Sequence, residues 1–151
     1  MPQLYRICRN IYNPNDPAGA SITPGRWHIL GEKVLYFCSS LAMCVLELRA
    51  NSISFASIRN EYHYTEIEVE HELFVIEEVS KSFYVKDWTL NRQLTQKYGS
   101  DWYKKNKSSL LKVQSAVLPT DSNFILNTMH PDFSKIKFSK SKIIPLDPRV
   151  N

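Results

Sequence analysis

Residues 39–48 read Ser39-Ser40-Leu41-Ala42-Met43-Cys44-Val45-Leu46-Glu47-Leu48 and carry a single charge. That charge constrains the fold more than any other feature of the chain. Leu41, Cys44, Val45 and Leu48 recur at i, i+3, i+4 and i+7, the spacing of one face of an α-helix. Ser39 or Ser40 can cap the helix, because a serine hydroxyl accepts from a free first-turn N–H. Ala42, Met43 and Leu46 make the opposite face apolar as well, so the expectation is a helix buried nearly all round. Glu47 must then be paired, wetted by a cleft, or protonated, since isolated burial of a charge is very costly. It is the first candidate for chemistry. Upstream stand the short apolar strand Val34-Leu35-Tyr36-Phe37-Cys38, a turn at Gly31-Glu32-Lys33, and the run Thr23-Pro24-Gly25-Arg26-Trp27-His28. Arg26 is the first candidate partner of Glu47.

The 151-residue chain as a whole sets bounds around this stretch. Its length suits one domain, 1–151, with a core of its own. A hydrophobic content of 43% with 12% aromatics excludes a disordered chain. No apolar run reaches bilayer length, so no membrane contact is expected. The first residues lack the basic start and apolar core of a signal peptide, which predicts a cytoplasmic protein. The three cysteines, Cys8, Cys38 and Cys44, form no C-x-x-C pair and suit reduced thiols. His28, His63, His71 and His130 have no zinc-site spacing, so no metal is expected. Charge is uneven: residues 1–100 hold 10 Lys+Arg and 11 Asp+Glu, residues 101–151 hold 9 and 4. A basic last third can face nucleic acid or an anionic cofactor, or be a plain solvated lysine surface, and the last is the simpler reading.

The pattern predicts a strand over 4–8 with Arg6 inside it, a loop over 10–24, irregular chain over 51–60, and a strand-rich stretch over 62–79. There Ile67 and Val69 alternate with Glu66, Glu68 and Glu70, and 73–79 reads as a second strand. A helix over 89–98 is capped by Thr89 and stopped by Gly99, with a second short helix over 100–107. A strand over 110–117 puts Ser115 on the same face as Leu111, Val113 and Val117, where it is either satisfied in the core or lines a pocket. A turn at 119–122 and short strands at 136–138 and 143–146 complete the chain. Without a regular β-α-β rhythm this is an α+β fold, a mixed sheet with flanking helices. G-x-G-x-x-G, G-x-x-x-x-G-K-[ST] and G-x-S-x-G are absent, which removes the usual nucleotide cradles and the nucleophile elbow.

Taken in order, Tyr5-Arg6-Ile7, Gly19-Ala20, Gly25-Arg26-Trp27, Val34-Leu35-Tyr36, Leu46-Glu47, Ser115-Ala116, Asn123, Asn127 and Leu146-Asp147-Pro148-Arg149 resemble the RES domain. That family is named for its arginine, glutamate and serine, and its members are typically toxins of RES–Xre toxin–antitoxin systems. The resemblance spans about residues 4–150. It implies an ADP-ribosyltransferase-like fold and an enzyme that degrades NAD⁺ at the nicotinamide–ribose bond, by phosphorolysis or hydrolysis. NAD⁺ is then the substrate, inorganic phosphate a candidate co-substrate, and an Xre-type helix-turn-helix antitoxin the partner, through which the protein can oligomerise. Protein ADP-ribosylation is the alternative within the family. By motif, Glu47, Arg26 and Ser115 take the catalytic roles, and Arg6, Arg26, Tyr36 and Asn123 bind NAD⁺. The chain departs from the family pattern at Pro24, His28, Gln114 and Thr128.

The residue chemistry agrees with that assignment. Breaking a bond from ribose to a nitrogen base leaves positive charge on the sugar. A carboxylate such as Glu47 stabilises that charge more in the transition state than in the ground state. Arginines fork onto phosphate oxygens, and a tyrosine offers a flat face to a ring. Plainer readings stand beside each role: Arg26 and Glu47 as a buried ion pair, Tyr36 and Trp27 as core, Ser115 as a satisfied strand serine. A function of another class, a nucleic-acid-binding module using the basic last third, also fits the charge. The chain has no recognition-helix motif of its own, so direct DNA contact is expected to fall to the antitoxin.

Overall fold

In the computed structural model, which describes residues 3–70 and 74–151, seven strands join into one continuous sheet. In chain order they are β1 (Gln3–Arg9), β2 (Val34–Cys38), β3 (Tyr62–Glu68), β4 (Ile76–Glu78), β5 (Leu110–Gln114), β6 (Ser122–Asn127) and β7 (Lys142–Ile143). Their order in space is β4-β5-β6-β2-β1-β3-β7. Only β4 and β5 pair in parallel; every other neighbouring pair is antiparallel. The helices are α1 (Ala18–Ile22), α2 (Leu41–Ala50), α3 (Phe55–Glu61) and α4 (Arg92–Lys105). The α+β expectation holds.

Strand alternation divides the core. On β2, Leu35 and Phe37 point to one face, where they join Leu4, Ile67, Leu110 and Leu126. Val34 points to the other, with Trp27, Trp88, Trp102 and Val113. The second face is covered by α4. That helix starts at Asn91, whose Oδ1 accepts from Leu94 N–H at 3.1 Å. It ends at Asn106, in the left-handed conformation at φ 52, with Lys104 and Lys105 in the last turn, where cations favour the helix dipole.

Several sequence expectations need correction. Helix α4 is one 14-residue helix, not two, and its cap is Asn91 rather than Thr89. Gly99 does not stop it. A mid-helix glycine costs roughly 1 kcal/mol, but here a Cβ would stand 1.7 Å from the Trp27 carbonyl oxygen, so only glycine lets α4 approach. Residues 10–24 contain α1, and 51–60 contain most of α3, capped by the Ser54 hydroxyl. The strand over 110–117 ends at Gln114, and Val117 is exposed. The strand at 136–138 reduces to one bridge, Ile67 with Phe138, and that at 143–146 to the two residues of β7. Of 73–79, β4 covers 76–78, and Leu73 lies outside the described residues. The largest correction concerns α2. Ser40 does cap it, accepting from Met43 N–H at 3.1 Å, but only Met43 and Cys44 are buried and Leu46 is 39% exposed. The helix lies against the central strands β1 and β2, where Leu41, Met43 and Cys44 pack on Tyr5, Ile7 and Cys38, and its other side stays open.

Candidate active site

β5 and β2 flank β6 and run opposite to it, so both end where β6 begins. Cys38 at the end of β2 pairs with Asn123 near the start of β6, and Asn123 also pairs with Val113 of β5. α2 starts three residues after β2 and carries Glu47 back to this end of the sheet. Glu47 Oε1 accepts from Ser115 Oγ at 2.7 Å and from Asn123 Nδ2 at 2.8 Å. Among the described residues Glu47 has no ion-pair partner. Arg26, the partner expected from sequence, is not bonded to it. The carboxylate is held by two neutral donors at the wall of a cleft, so its charge is oriented without being cancelled.

Ser115 is fully buried. Its hydroxyl donates to Glu47 and accepts from Val117 N–H at 3.1 Å and Leu118 N–H at 3.0 Å. One donor and two lone pairs are a hydroxyl's whole capacity, so Ser115 is satisfied. The Asn123 amide is fixed by the same logic, because a carboxylate only accepts and must face Nδ2. That leaves Asn123 Oδ1 buried without a partner among the described residues.

The cleft beside these groups holds about 490 Å³ and is lined by Arg26, Tyr36, Cys38, Glu47, Arg92 and Asn123, among others. Arg26 is anchored by α4 and the turn before it. Its Nη1 donates to the Thr89 carbonyl at 2.8 Å, and its guanidinium lies 5.9 Å from the centre of the Trp88 ring. The Thr95 hydroxyl donates to the Arg26 carbonyl, and Gln96 Nε2 donates to the Gly25 carbonyl at 2.8 Å. Desolvation, and then repulsion from Arg92, pull the Arg26 pKa below its ordinary value.

Tyr36 is bound to His28, one of the residues that depart from the family pattern. His28 Nε2 lies 2.8 Å from the Ala20 carbonyl and 3.0 Å from the Thr23 carbonyl, so it must carry the proton. Nδ1 is then an acceptor, taking Gly25 N–H at 3.2 Å and the Tyr36 hydroxyl at 2.7 Å. The Tyr36 oxygen accepts Trp27 N–H at 3.2 Å. Burial raises the phenol's pKa, so the ring stays neutral. His28 ties the backbone on both sides of Pro24 to the wall of the cleft.

Arg6 takes a different place. Its Nε donates to the Pro14 carbonyl at 2.9 Å and its Nη1 to the Tyr36 carbonyl at 3.4 Å. It straps the 10–24 loop to β2, is not among the side chains lining the cleft, and has its pKa lowered by burial. The fold therefore gathers Glu47, Ser115 and Asn123 into direct contact, sets Arg26 and Tyr36 on the same cleft, and leaves Arg6 behind it. Sequence reasoning missed Arg92. Only its position at a helix start could have flagged it, since a cation opposes the dipole there. Among the described residues no three or more His, Cys, Asp or Glu gather as a metal site, and no helix is long and apolar enough to cross a membrane.

Known proteins resemble this chain in sequence and in fold. The RES domain family model matches residues 3–147. The "Prs ADP-ribosylating toxin" of Sphingobium sp. (strain YBL2) is 33% identical over 136 residues, covering 88% of this chain and 84% of its own. A "Toxin Res" of Photorhabdus laumondii subsp. laumondii is 29% identical, covering 87% and 85%, and one of Yersinia enterocolitica is 28% identical, covering 97% and 98%. In fold, the chain is similar to a chain of the M. tuberculosis MbcT–MbcA toxin–antitoxin complex, with a TM-score of 0.73, 15% identity, and 94% and 83% of the two chains covered. The match to the family model over almost the whole chain, the relatives named Toxin Res, and the shared fold lead to one statement: the chain belongs to the RES domain family.

Proposed function

We propose that the cleft binds NAD⁺ and breaks its nicotinamide–ribose bond, and that the protein is the toxin of a toxin–antitoxin pair. The observation that carries this reading is Glu47, held by Ser115 and Asn123 and in no ion pair among the described residues, beside a cleft that also holds arginine. The volume of about 490 Å³ falls within the range of about 300–1,000 Å³ usual for ligand pockets.

When the bond breaks, its electron pair leaves with the nicotinamide ring and positive charge grows on the ribose carbon. Glu47 is already oriented for that charge, and preorganised charge costs no rearrangement in the transition state. Ser115 has no free hydrogen-bonding capacity, which supports a positioning role for it rather than that of an attacking group. Asn123 shares that role. Arg26 supplies a fork to a phosphate oxygen. Tyr36, kept neutral and braced by His28, offers its face to the ring. Arg6 acts from behind the wall by holding the 10–24 loop against β2. The ribose carbon is then captured by water or inorganic phosphate. A second reading, transfer of ADP-ribose to a protein, is favoured by the name of the 33%-identical relative, an ADP-ribosylating toxin.

Purified protein incubated with NAD⁺, with and without phosphate, tests the reading. Release of nicotinamide with no labelled protein supports NAD⁺ degradation, and a phosphate requirement identifies phosphorolysis. Label that appears only on an added protein supports the transferase reading. No nicotinamide under any condition refutes both and returns weight to nucleic-acid binding by the basic last third.

An enzyme that drains a central cofactor has to be held in check, and a neighbour of this fold was solved as a toxin–antitoxin complex. The inhibitor proposed here is an Xre-type protein that places acidic groups or a carboxyl terminus against the arginines of the cleft. Inhibition should weaken as NAD⁺ rises, under conditions where the complex can exchange. Inhibition independent of NAD⁺ concentration would place control elsewhere.

A further inference from the structure

Arg92 is the first residue of α4 and lines the same cleft as Arg26. The first turn of α4 contains no acidic residue. A cation at this end of a helix works against the dipole. Arg92 forms no ion pair among the described residues, and Arg26 is committed only to a carbonyl and an aromatic face. Two guanidinium groups thus line one cleft, and among the described residues neither is in an ion pair with a carboxylate. Their relative position is set by a rigid frame: the bonds from Thr95 and Gln96 to residues 25 and 26, and the contact of Gly99 with Trp27. Local preference is broken where a ligand would have to compensate it.

We infer that Arg92 is a second diphosphate-binding residue, which with Arg26 forms a two-arginine clamp for the phosphates of a dinucleotide; this rests on the NAD⁺ reading of the cleft. The charges of the two sides match. Glu47 faces the end of the substrate where positive charge resides and grows, while the two arginines face the two negative charges of the diphosphate. The clamp accordingly selects substrates that carry a diphosphate and discriminates against the bare pyridine nucleoside. Arg92 sits on the exposed start of its helix, so its side chain can move onto a ligand and change little in the fold.

The test is calorimetric binding of ADP-ribose, which keeps the diphosphate and cannot react, beside nicotinamide riboside, which lacks it. Wild type, Arg92→Ala and Arg92→Lys are compared, with melting curves as a check on folding. Arg92→Ala should weaken ADP-ribose by about tenfold or more, the usual effect of losing a charge-assisted contact. Arg92→Lys should recover part of the loss, since a point charge lacks the fork. Nicotinamide riboside should bind both variants as it binds wild type. Equal ADP-ribose affinity in wild type and Arg92→Ala overturns the clamp and leaves the NAD⁺ reading intact. An equal loss for both ligands overturns it as well, because Arg92 would then be shaping the cleft. If wild type binds neither ligand, the NAD⁺ reading fails and the clamp fails with it.

Discussion

Replacing Glu47 with glutamine separates the charge of this side chain from its shape. Glu47 Oε1 receives both the Ser115 hydroxyl and the Asn123 amide, and an amide oxygen at the same place accepts the same two bonds. Each bond falls from the charged range of about 1.5–3 kcal/mol to the neutral range of about 0.5–1.5 kcal/mol. Part of that loss is regained, because a neutral amide is cheaper to desolvate than a carboxylate. The net cost to stability should be about 1 kcal/mol, a fall in melting temperature of about 2–4 °C for a chain of this size. Catalysis should suffer far more. Removing one preorganised group that faces developing charge typically costs about 10²–10³ in rate, and here a full charge is removed. The assay is nicotinamide release from saturating NAD⁺, followed by chromatography, beside a thermal melt of the same sample. A rate within about threefold of wild type, in a variant that melts normally, would refute the role given to the Glu47 charge.

Other expectations follow from the same geometry. Ser115→Ala should keep ADP-ribose affinity within about twofold and slow turnover by about tenfold or more, because it loosens Glu47 without touching the phosphates; a variant with wild-type turnover would end the positioning role. Gly99→Ala should cost about 3 kcal/mol or more, since backbone must move to admit a methyl group 1.7 Å from the Trp27 oxygen; a melting temperature within about 2 °C of wild type would mean α4 does not bear on Trp27 as described. His63 has its pKa pulled below the ordinary 6.5, by burial first and by Arg6 second. The unfolded chain therefore binds the proton more readily, and the contribution of His63 is complete above 6.5 and lost as pH falls through the folded-state value. Denaturant melts from pH 7.5 to 5 should show that loss in wild type and a smaller one in His63→Gln, whereas identical slopes would assign the acid sensitivity to other groups.

Local signals were readable where short-range chemistry decides the outcome. The bounds of β2 follow from five apolar residues between a turn and two serines, and Ser40 caps α2 as its hydroxyl suggests. Glu47 was legible because a lone carboxylate in an apolar helix demands an explanation. The explanation itself was not legible. Composition predicts burial nearly all round for α2, yet burial is decided by where a helix lies, and α2 lies on β1 and β2 with one side open. The partners of Glu47 come from just beyond β5 and from β6, 68 and 76 residues away in sequence, and single-sequence periodicity carries no information on such pairings. Gly99 misled for a related reason. Glycine commonly ends helices, and its use as a contact surface for Trp27 is visible only once α4 lies against residues 25–27.

The role of α4 also bears on how such a cleft could be assembled. Residues 25–27 follow a loop with little regular structure, and a loop by itself cannot hold an arginine within the fraction of an ångström that catalysis requires. Here the loop is held from three sides. Arg6 straps it at Pro14, His28 gathers the carbonyls of Ala20 and Thr23, and α4 grips the carbonyls of residues 25 and 26. Glu47 belongs to a separate framework of α2, β6 and the end of β5. The cleft lies between two walls joined through β2, one bearing the carboxylate and the other the cations. Loosening the α4 wall should therefore impair substrate binding before it impairs the chemical step, and loosening the Ser115–Asn123 wall should do the reverse.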